Sequence, residues 1–180
     1  TSTFLKGNIP CRIARISFSG ELAFEVYVKS DFANTMMDLL WENAKKYDGC
    51  LYGLEALGAL RVEKGHVTAA ELDGRVTIDD AGLSKMASTK KSYIGSAMRK
   101  RGVLKNNDRE ILVGFFPTNL KETFNAGTIV CEKNNIKGQG IGRITSVTYS
   151  PELGHWIGLG FVKGGLDKWK DTNLVGADPV

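Results

Sequence analysis

From residue 109 onward the chain shows no helical period. The runs "REILVGFF", "GTIVCE", "GRITSVTYS" and "HWIGLGFV" are short, rich in β-branched and aromatic residues, and separated by glycines. Short strands at such regular spacing predict a small antiparallel β barrel or sandwich. "GQGIG", at 138–142, lies among these runs. It lacks the preceding strand and following helix of a dinucleotide fingerprint, so a hairpin turn is expected there. "SPELG", at 150–154, reads as another turn, with Pro151 and Gly154 setting the backbone.

Before residue 101 the texture is mixed. Residues 12–18 and 22–28 read as a hairpin turning at Ser19 and Gly20. Ser30 is placed as a helix N-cap with Asp31 in the first turn, and Phe32, Met36, Leu39, Leu40 and Ala44 recur at helical spacing. Lys45 and Lys46 suit the end of that helix, and Gly49 is expected to stop it. Met37 and Trp41 fall off its apolar stripe and are candidates for a docking surface. A second helix is expected at 54–64, ended by Gly65. A polar crossing segment, "HVTAAELDGRVTIDDAGLSKM", follows, and a short helix at 93–101 closes this half. The predicted fold is α+β: an α/β region over 1–105 and an antiparallel β barrel over 106–180. "KRGVLKNND", at 100–108, is the boundary.

Composition excludes several classes. Charged residues make up 24% and apolar residues 42%, with a net charge of +4, as in a globular protein. The basic residues are interleaved with acids, which argues against nucleic acid as a partner. No apolar run is long enough to span a membrane. Cys11, Cys50 and Cys131 are far apart and odd in number, so neither a disulfide framework nor a zinc site is indicated, and a reduced, cytoplasmic setting is expected. His66 and His155 stand singly, so no metal ligand set emerges. Asp79 and Asp80, following Thr77, read as a cap or turn rather than a catalytic pair. No catalytic residue is assigned. The chain starts at Thr1, without methionine, and runs at once into strand-like sequence. A piece of a longer protein is expected.

One residue breaks the pattern. Glu25 sits in an apolar strand between Phe24 and Val26. Side chains alternate across a strand, so Phe24, Val26 and Val28 share one face, which the following helix can cover. Ala23, Glu25 and Tyr27 share the other. A carboxylate there needs donors. One reading is an ion pair to Arg15 or Arg12 across the hairpin. The other is bidentate acceptance from a flat ligand with adjacent N–H donors, such as the pterin ring of a folate.

"RISFSGELAFEVYV" resembles the strand–turn–strand motif R-T-G-Y-T-G-E-D-G-F-E-I of the glycine-cleavage T-protein (aminomethyltransferase) family, matching it at Arg15, Gly20, Glu21, Phe24 and Glu25. The resemblance implies that Glu25 grips the pterin of tetrahydrofolate. It places Phe18 where the family has a tyrosine, packing near the ring; Arg15, which matches the motif, and Tyr27, on the strand face of Glu25, are further folate-binding candidates. "GLEALGALRVEKG" resembles G-x-x-A-R-D-x-L-R-L-E-A-G at Arg61, Glu63 and Gly65, but the family's first arginine, a folate contact, is Leu57 here.

"LDGRVTIDDAGL", "KKSYIG" and "ITSVTYSPELGHWIGLGFVKGG" are more similar to the T-protein-like end of the alpha subunits of heterotetrameric sarcosine oxidases. That resemblance implies part of a multisubunit oxidoreductase. Sarcosine is demethylated oxidatively, and the one-carbon unit passes to tetrahydrofolate, giving 5,10-methylenetetrahydrofolate and glycine. FAD, FMN and NAD would bind elsewhere in the assembly, and the partners would be folate and the other subunits. The family's catalytic aspartate precedes the matched motif, so this stretch alone is expected to be inactive. Three alternatives stay open: a glycine-cleavage aminomethyltransferase, a non-enzymatic folate-binding protein of iron–sulfur assembly, and a structural subunit domain. The second carries K-G-C-Y-x-G-Q-E, whereas this chain has His66 and no cysteine in "EKGHVTAAE".

Overall fold

The computed structural model describes the backbone at residues 2–5, 8–133, 139–169 and 174–177, and side chains at 8–133 and 139–169. The chain divides into two compact units, Thr1–Lys64 and Gly65–Val180. As a matter of packing, the division falls ahead of the 105/106 boundary expected from composition. The crossing segment belongs with the C-terminal sheet.

The first unit holds a three-stranded antiparallel sheet in the order β1 (Ser2–Leu5), β2 (Ile9–Ala14), β3 (Glu25–Tyr27). The expected hairpin is present, with Ala14 opposite Glu25 and Arg12 opposite Tyr27. Its strands are shorter than expected, and residues 15–24 form a loop rather than a tight turn. Two helices follow, α1 (Ala33–Ala44) and α2 (Leu54–Lys64). Met36 of α1 is buried with Ile9 and Cys11 of β2, and Ile13, Val26, Val28, Phe32 and Leu39 pack around them. Thus Val26 and Val28 face the helix as the alternation required. Phe24, just outside the strand, is instead 58% exposed.

The ends of α1 differ from expectation. Ser30 is not its N-cap: residues Ser30–Phe32 form a 3-10 turn in which the Phe32 N–H donates to the Lys29 carbonyl at 2.9 Å, so the backbone performs the capping itself. At the other end, a second 3-10 turn, Lys45–Tyr47, leads to Asp48, whose φ of 54° makes it, rather than Gly49, the left-handed residue. Met37 is exposed, as expected for a residue off the stripe. Trp41 is half-buried, with the Lys45 ammonium 5.0 Å from its ring centre. The segment between the helices leaves Tyr47, Leu51 and Tyr52 strongly exposed, as is Leu54 at the start of α2.

The second unit is built on a five-stranded antiparallel sheet. Its order is β4 (Glu110–Phe115), β7 (His155–Lys163), β6 (Gly142–Ser150), β5 (Ile129–Glu132), β8 (Leu174–Ala177). The four β-rich runs supply β4 to β7. The short helix α3 (Gly165–Trp169) and β8 were not legible from periodicity, being only five and four residues long. Val113, Val130, Ile144, Ile157, Leu159, Phe161 and Val162 are buried. "SPELG" turns β6 into β7, and the Gly154 N–H donates to the Ser150 carbonyl at 2.8 Å. "GQGIG" opens directly into β6 at Gly142, and its first residue, Gly138, lies outside the described residues.

The register of β6 on β7 slips between Ile144 and Ser146, which leaves Thr145 as a bulge. Ahead of the sheet, the expected helix at 93–101 is absent. Gly95 has φ 89°, which no right-handed helix allows, and Ser92 and Ser96 are weak helix formers. Two 3-10 turns, Met98–Lys100 and Gly102–Lys105, stand there instead.

Candidate functional site

Glu25 opens β3, and Tyr27 follows on the same face. The Tyr27 hydroxyl donates to Oε2 of Glu25, which orients the carboxylate along the strand. Both side chains are exposed. Among the described residues neither Arg12 nor Arg15 forms an ion pair with Glu25. The hairpin ion pair that composition allowed is therefore not formed, and the carboxylate face stays open to a ligand.

The loop before Glu25 is held from two directions. The Gly20 N–H donates to Ser17 Oγ at 2.9 Å, closing a turn on the serine. The Lys64 ammonium, at the last residue of α2, donates to the Ser17 carbonyl at 2.7 Å. Gly20 has φ 103°, and a Cβ there would lie 3.3 Å from the Lys64 side chain, so the position suits glycine alone. The loop encloses a cleft of about 460 Å³ lined by Arg15, Ser17, Gly20, Glu21, Leu22 and Ala23.

The four sequence-derived site residues thus separate into groups. Glu25 and Tyr27 are brought together, Arg15 lies in the loop cleft, and Phe18 is half-buried in the same loop without lining that cleft. Lys64 was not singled out by spacing or motif. A lysine at a helix C-terminus reads as a response to the helix dipole, and its reach back to residue 17 shows only in three dimensions. Leu57, where an arginine was expected, is half-buried in α2.

The other candidate acids are structural. In "VTIDD" the Thr77 N–H and hydroxyl both donate to Asp80 Oδ2, at 2.7 and 2.8 Å, and the Arg109 guanidinium grips the same carboxylate from the start of β4. Burial pushes the Asp80 carboxyl up, but these donors outweigh it and hold the group below the usual carboxylate range. Arg99 donates twice to Asp79, at 2.6 and 2.7 Å, and Ser84 adds a third bond at 2.6 Å, lowering that carboxyl to about 2. In "VTAAE" the same turn recurs, with the Thr68 N–H and hydroxyl on Glu71 Oε2. The reading of Asp79 and Asp80 as cap and turn acids therefore stands, and neither is free for proton transfer.

Among the described residues no cluster of histidine, cysteine, aspartate or glutamate could hold a metal, and no helix is long and apolar enough to cross a membrane. His155 Nδ1 lies 2.9 Å from the Trp156 carbonyl, with its ring tilted against Phe116.

Comparison with known proteins extends the geometry. Residues 2–91 match the GCVT N-terminal domain, and residues 111–176 match the glycine cleavage T-protein C-terminal barrel domain. The chain is 38% identical over 164 residues to sarcosine oxidase subunit alpha of Rhizobium meliloti (strain 1021), covering 89% of this chain and 17% of that protein. It is 30% identical over 160 residues to aminomethyltransferase of Corynebacterium jeikeium (strain K411), covering 85% and 39%. The fold is that of the glycine cleavage system aminomethyltransferase T from Bartonella henselae, with TM-score 0.78 at 21% identity, covering 97% of this chain and 47% of that one. The chain therefore spans less than a fifth of the sarcosine oxidase subunits and under half of the aminomethyltransferases.

Proposed function

We propose a folate-handling role on one premise: the chain belongs to the glycine-cleavage T-protein family. It is related to sarcosine oxidase alpha subunits and to aminomethyltransferases. In this reading it is the folate-binding part of a sarcosine oxidase alpha subunit. The whole enzyme demethylates sarcosine oxidatively, and tetrahydrofolate takes up the one-carbon unit as 5,10-methylenetetrahydrofolate, leaving glycine.

The observation that carries the reading is Glu25. Its carboxylate is exposed and free of arginine partners, and Tyr27 fixes one oxygen by a hydrogen bond. The other oxygen is open to accept from an N–H edge, and a carboxylate with two oxygens suits the paired donors of a pterin. Phe18 offers an aromatic surface from the adjoining loop, and Lys64 and Gly20 hold that loop in shape. Arg15 offers a cation at the cleft for an anionic part of the ligand. What these residues do is bind and orient, so that the folate amine is held for attack and positioning supplies much of the acceleration.

The proton-handling acid, the FAD, FMN and NAD sites and the partner subunits belong to other parts of the assembly. "GQGIG" opens into a strand rather than a helix, so it does not fit a dinucleotide phosphate turn.

The test uses the intact oxidase. Glu25→Gln keeps the shape but replaces an acceptor oxygen with a donor. Folate affinity is expected to fall by about 1–3 kcal/mol. Amine oxidation continues while free formaldehyde rises at the expense of 5,10-methylenetetrahydrofolate. An unchanged product ratio with unchanged folate affinity would reduce Glu25 to a structural residue. A second reading, a free-standing aminomethyltransferase, is favoured by the matches at 30% identity. It would show no amine oxidation in the parent protein at all.

A further inference from the structure

A second cleft, of about 670 Å³, lies wholly within the Gly65–Val180 unit and plays no part in the folate reading. Its lining carries four lysines, Lys90, Lys91, Lys100 and Lys105, and a set of hydroxyls that includes Thr89 and Ser92. Among the described residues the one acid in the lining is Asp79, and Arg99 pairs with it through two hydrogen bonds. Among the described residues none of the four lysine ammoniums has a carboxylate partner. Beyond the Arg99–Asp79 pair, whose carboxylate Lys105 also attracts, the described lining carries an excess of basic side chains.

Arg99 and two of the hydroxyls are held by hydrogen bonds within the lining. Arg99 bridges Asp79 and Tyr93, lying 3.4 Å from the Tyr93 oxygen, which accepts that bond and keeps its own proton to donate. The Ser96 hydroxyl oxygen accepts from the Tyr93 N–H at 3.4 Å, and Ser88 Oγ accepts from the Lys90 N–H at 3.2 Å, so both hydroxyl protons remain available. The lining thus combines exposed lysine ammoniums and O–H donors with the Arg99–Asp79 ion pair. Like charges gathered this way repel one another unless an anion sits among them.

We infer that this cleft binds a small polyanion, a molecule bearing two or more neighbouring phosphate or carboxylate groups. Lysine ammoniums and hydroxyl donors recognise either kind of oxygen, and the volume admits a ligand larger than a single inorganic ion.

The test is calorimetric titration of the full-length protein with two probes, inorganic tripolyphosphate and γ-linked pentaglutamate, at about 0.1 M salt. At least one probe is expected to bind. Its affinity should fall about tenfold in Lys90→Gln/Lys91→Gln and about tenfold in Lys100→Gln/Lys105→Gln. Lys45→Gln/Lys46→Gln, in the other unit, should bind as the parent does, and thermal melting should show all three variants folded. Preference for tripolyphosphate identifies a phosphorylated ligand, and preference for pentaglutamate a polycarboxylate. Equal weakening in all three variants would mean diffuse charge attraction and would overturn the site, as would failure of both probes to bind. Because the readout involves no folate turnover, its failure leaves the Glu25 reading untouched.

Discussion

Glu71 has no exposed surface, yet it keeps a carboxylate in the interior of the second unit. Its oxygens are met by the Thr68 N–H at 2.8 Å, the Thr68 hydroxyl at 3.1 Å, the Thr145 hydroxyl at 2.8 Å and the Ser146 hydroxyl at 2.5 Å. Consecutive strand residues ordinarily point to opposite faces. Thr145 and Ser146 reach one carboxylate only because the bulge turns both hydroxyls the same way. Such a group stabilises only while every donor is matched. Glu71→Gln conserves volume but turns an NH₂ towards groups that donate. The expected loss is about 2 kcal/mol of unfolding free energy, measured by denaturant titration of the chain. An unchanged midpoint would show that the donors find water or other partners instead.

At the scale of elements, the crossing segment is fastened to the C-terminal sheet at β4 and β6. The Leu112 N–H donates to the Asp80 carbonyl at 2.8 Å, and Arg109 clamps the Asp80 carboxylate. Replacing the buried Asp80 by Asn strands the arginine and is expected to cost about 3 kcal/mol. The acid response has a defined direction. Asp80 titrates below its ordinary value of 3.8 when folded, and Asp79 is lowered to about 2. Their stabilisation is present above the unfolded value and is lost as pH falls through the folded one. Denaturant midpoints should therefore be flat above about pH 5 and decline between about pH 4 and pH 2. Asp80→Asn should flatten part of that decline.

These same elements show what a sequence discloses. The β-rich runs were legible from their β-branched and aromatic composition between glycines, and α1 from apolar residues recurring at helical spacing. The bulge, α3 and the 3-10 turns were not, since a single slipped residue or a one-turn helix leaves no period. The polar turn at Asp79 and Asp80 was readable from Thr77, because that bond spans only three residues. The Arg109 partnership spans 29 and left no mark. In the candidate site, Glu25 stood out as an acid in an apolar strand. Its bond to Tyr27 and the hold of Lys64 on the loop were hidden, because each depends on where a side chain swings or a helix ends.

For the whole molecule, the reach of these fastenings along the chain matters more than their number. The bond between Glu71 and Thr145 joins residues 74 apart, and that between Glu71 and Ser146 joins residues 75 apart. Closing so long a loop costs chain entropy before any contact repays it. Partners that distant are expected to meet after the rate-limiting barrier, once β6 and β7 have paired. The carboxylate would then act as a latch on a sheet already formed. In stopped-flow measurements Glu71→Gln should leave the refolding rate nearly unchanged and speed unfolding about thirtyfold, the whole of a 2 kcal/mol loss falling on one limb of the chevron. A matching fall in the refolding rate would place the bulge in the nucleus instead. On the first outcome, one buried carboxylate governs how long the folded barrel unit persists, and has little influence on how quickly it is made.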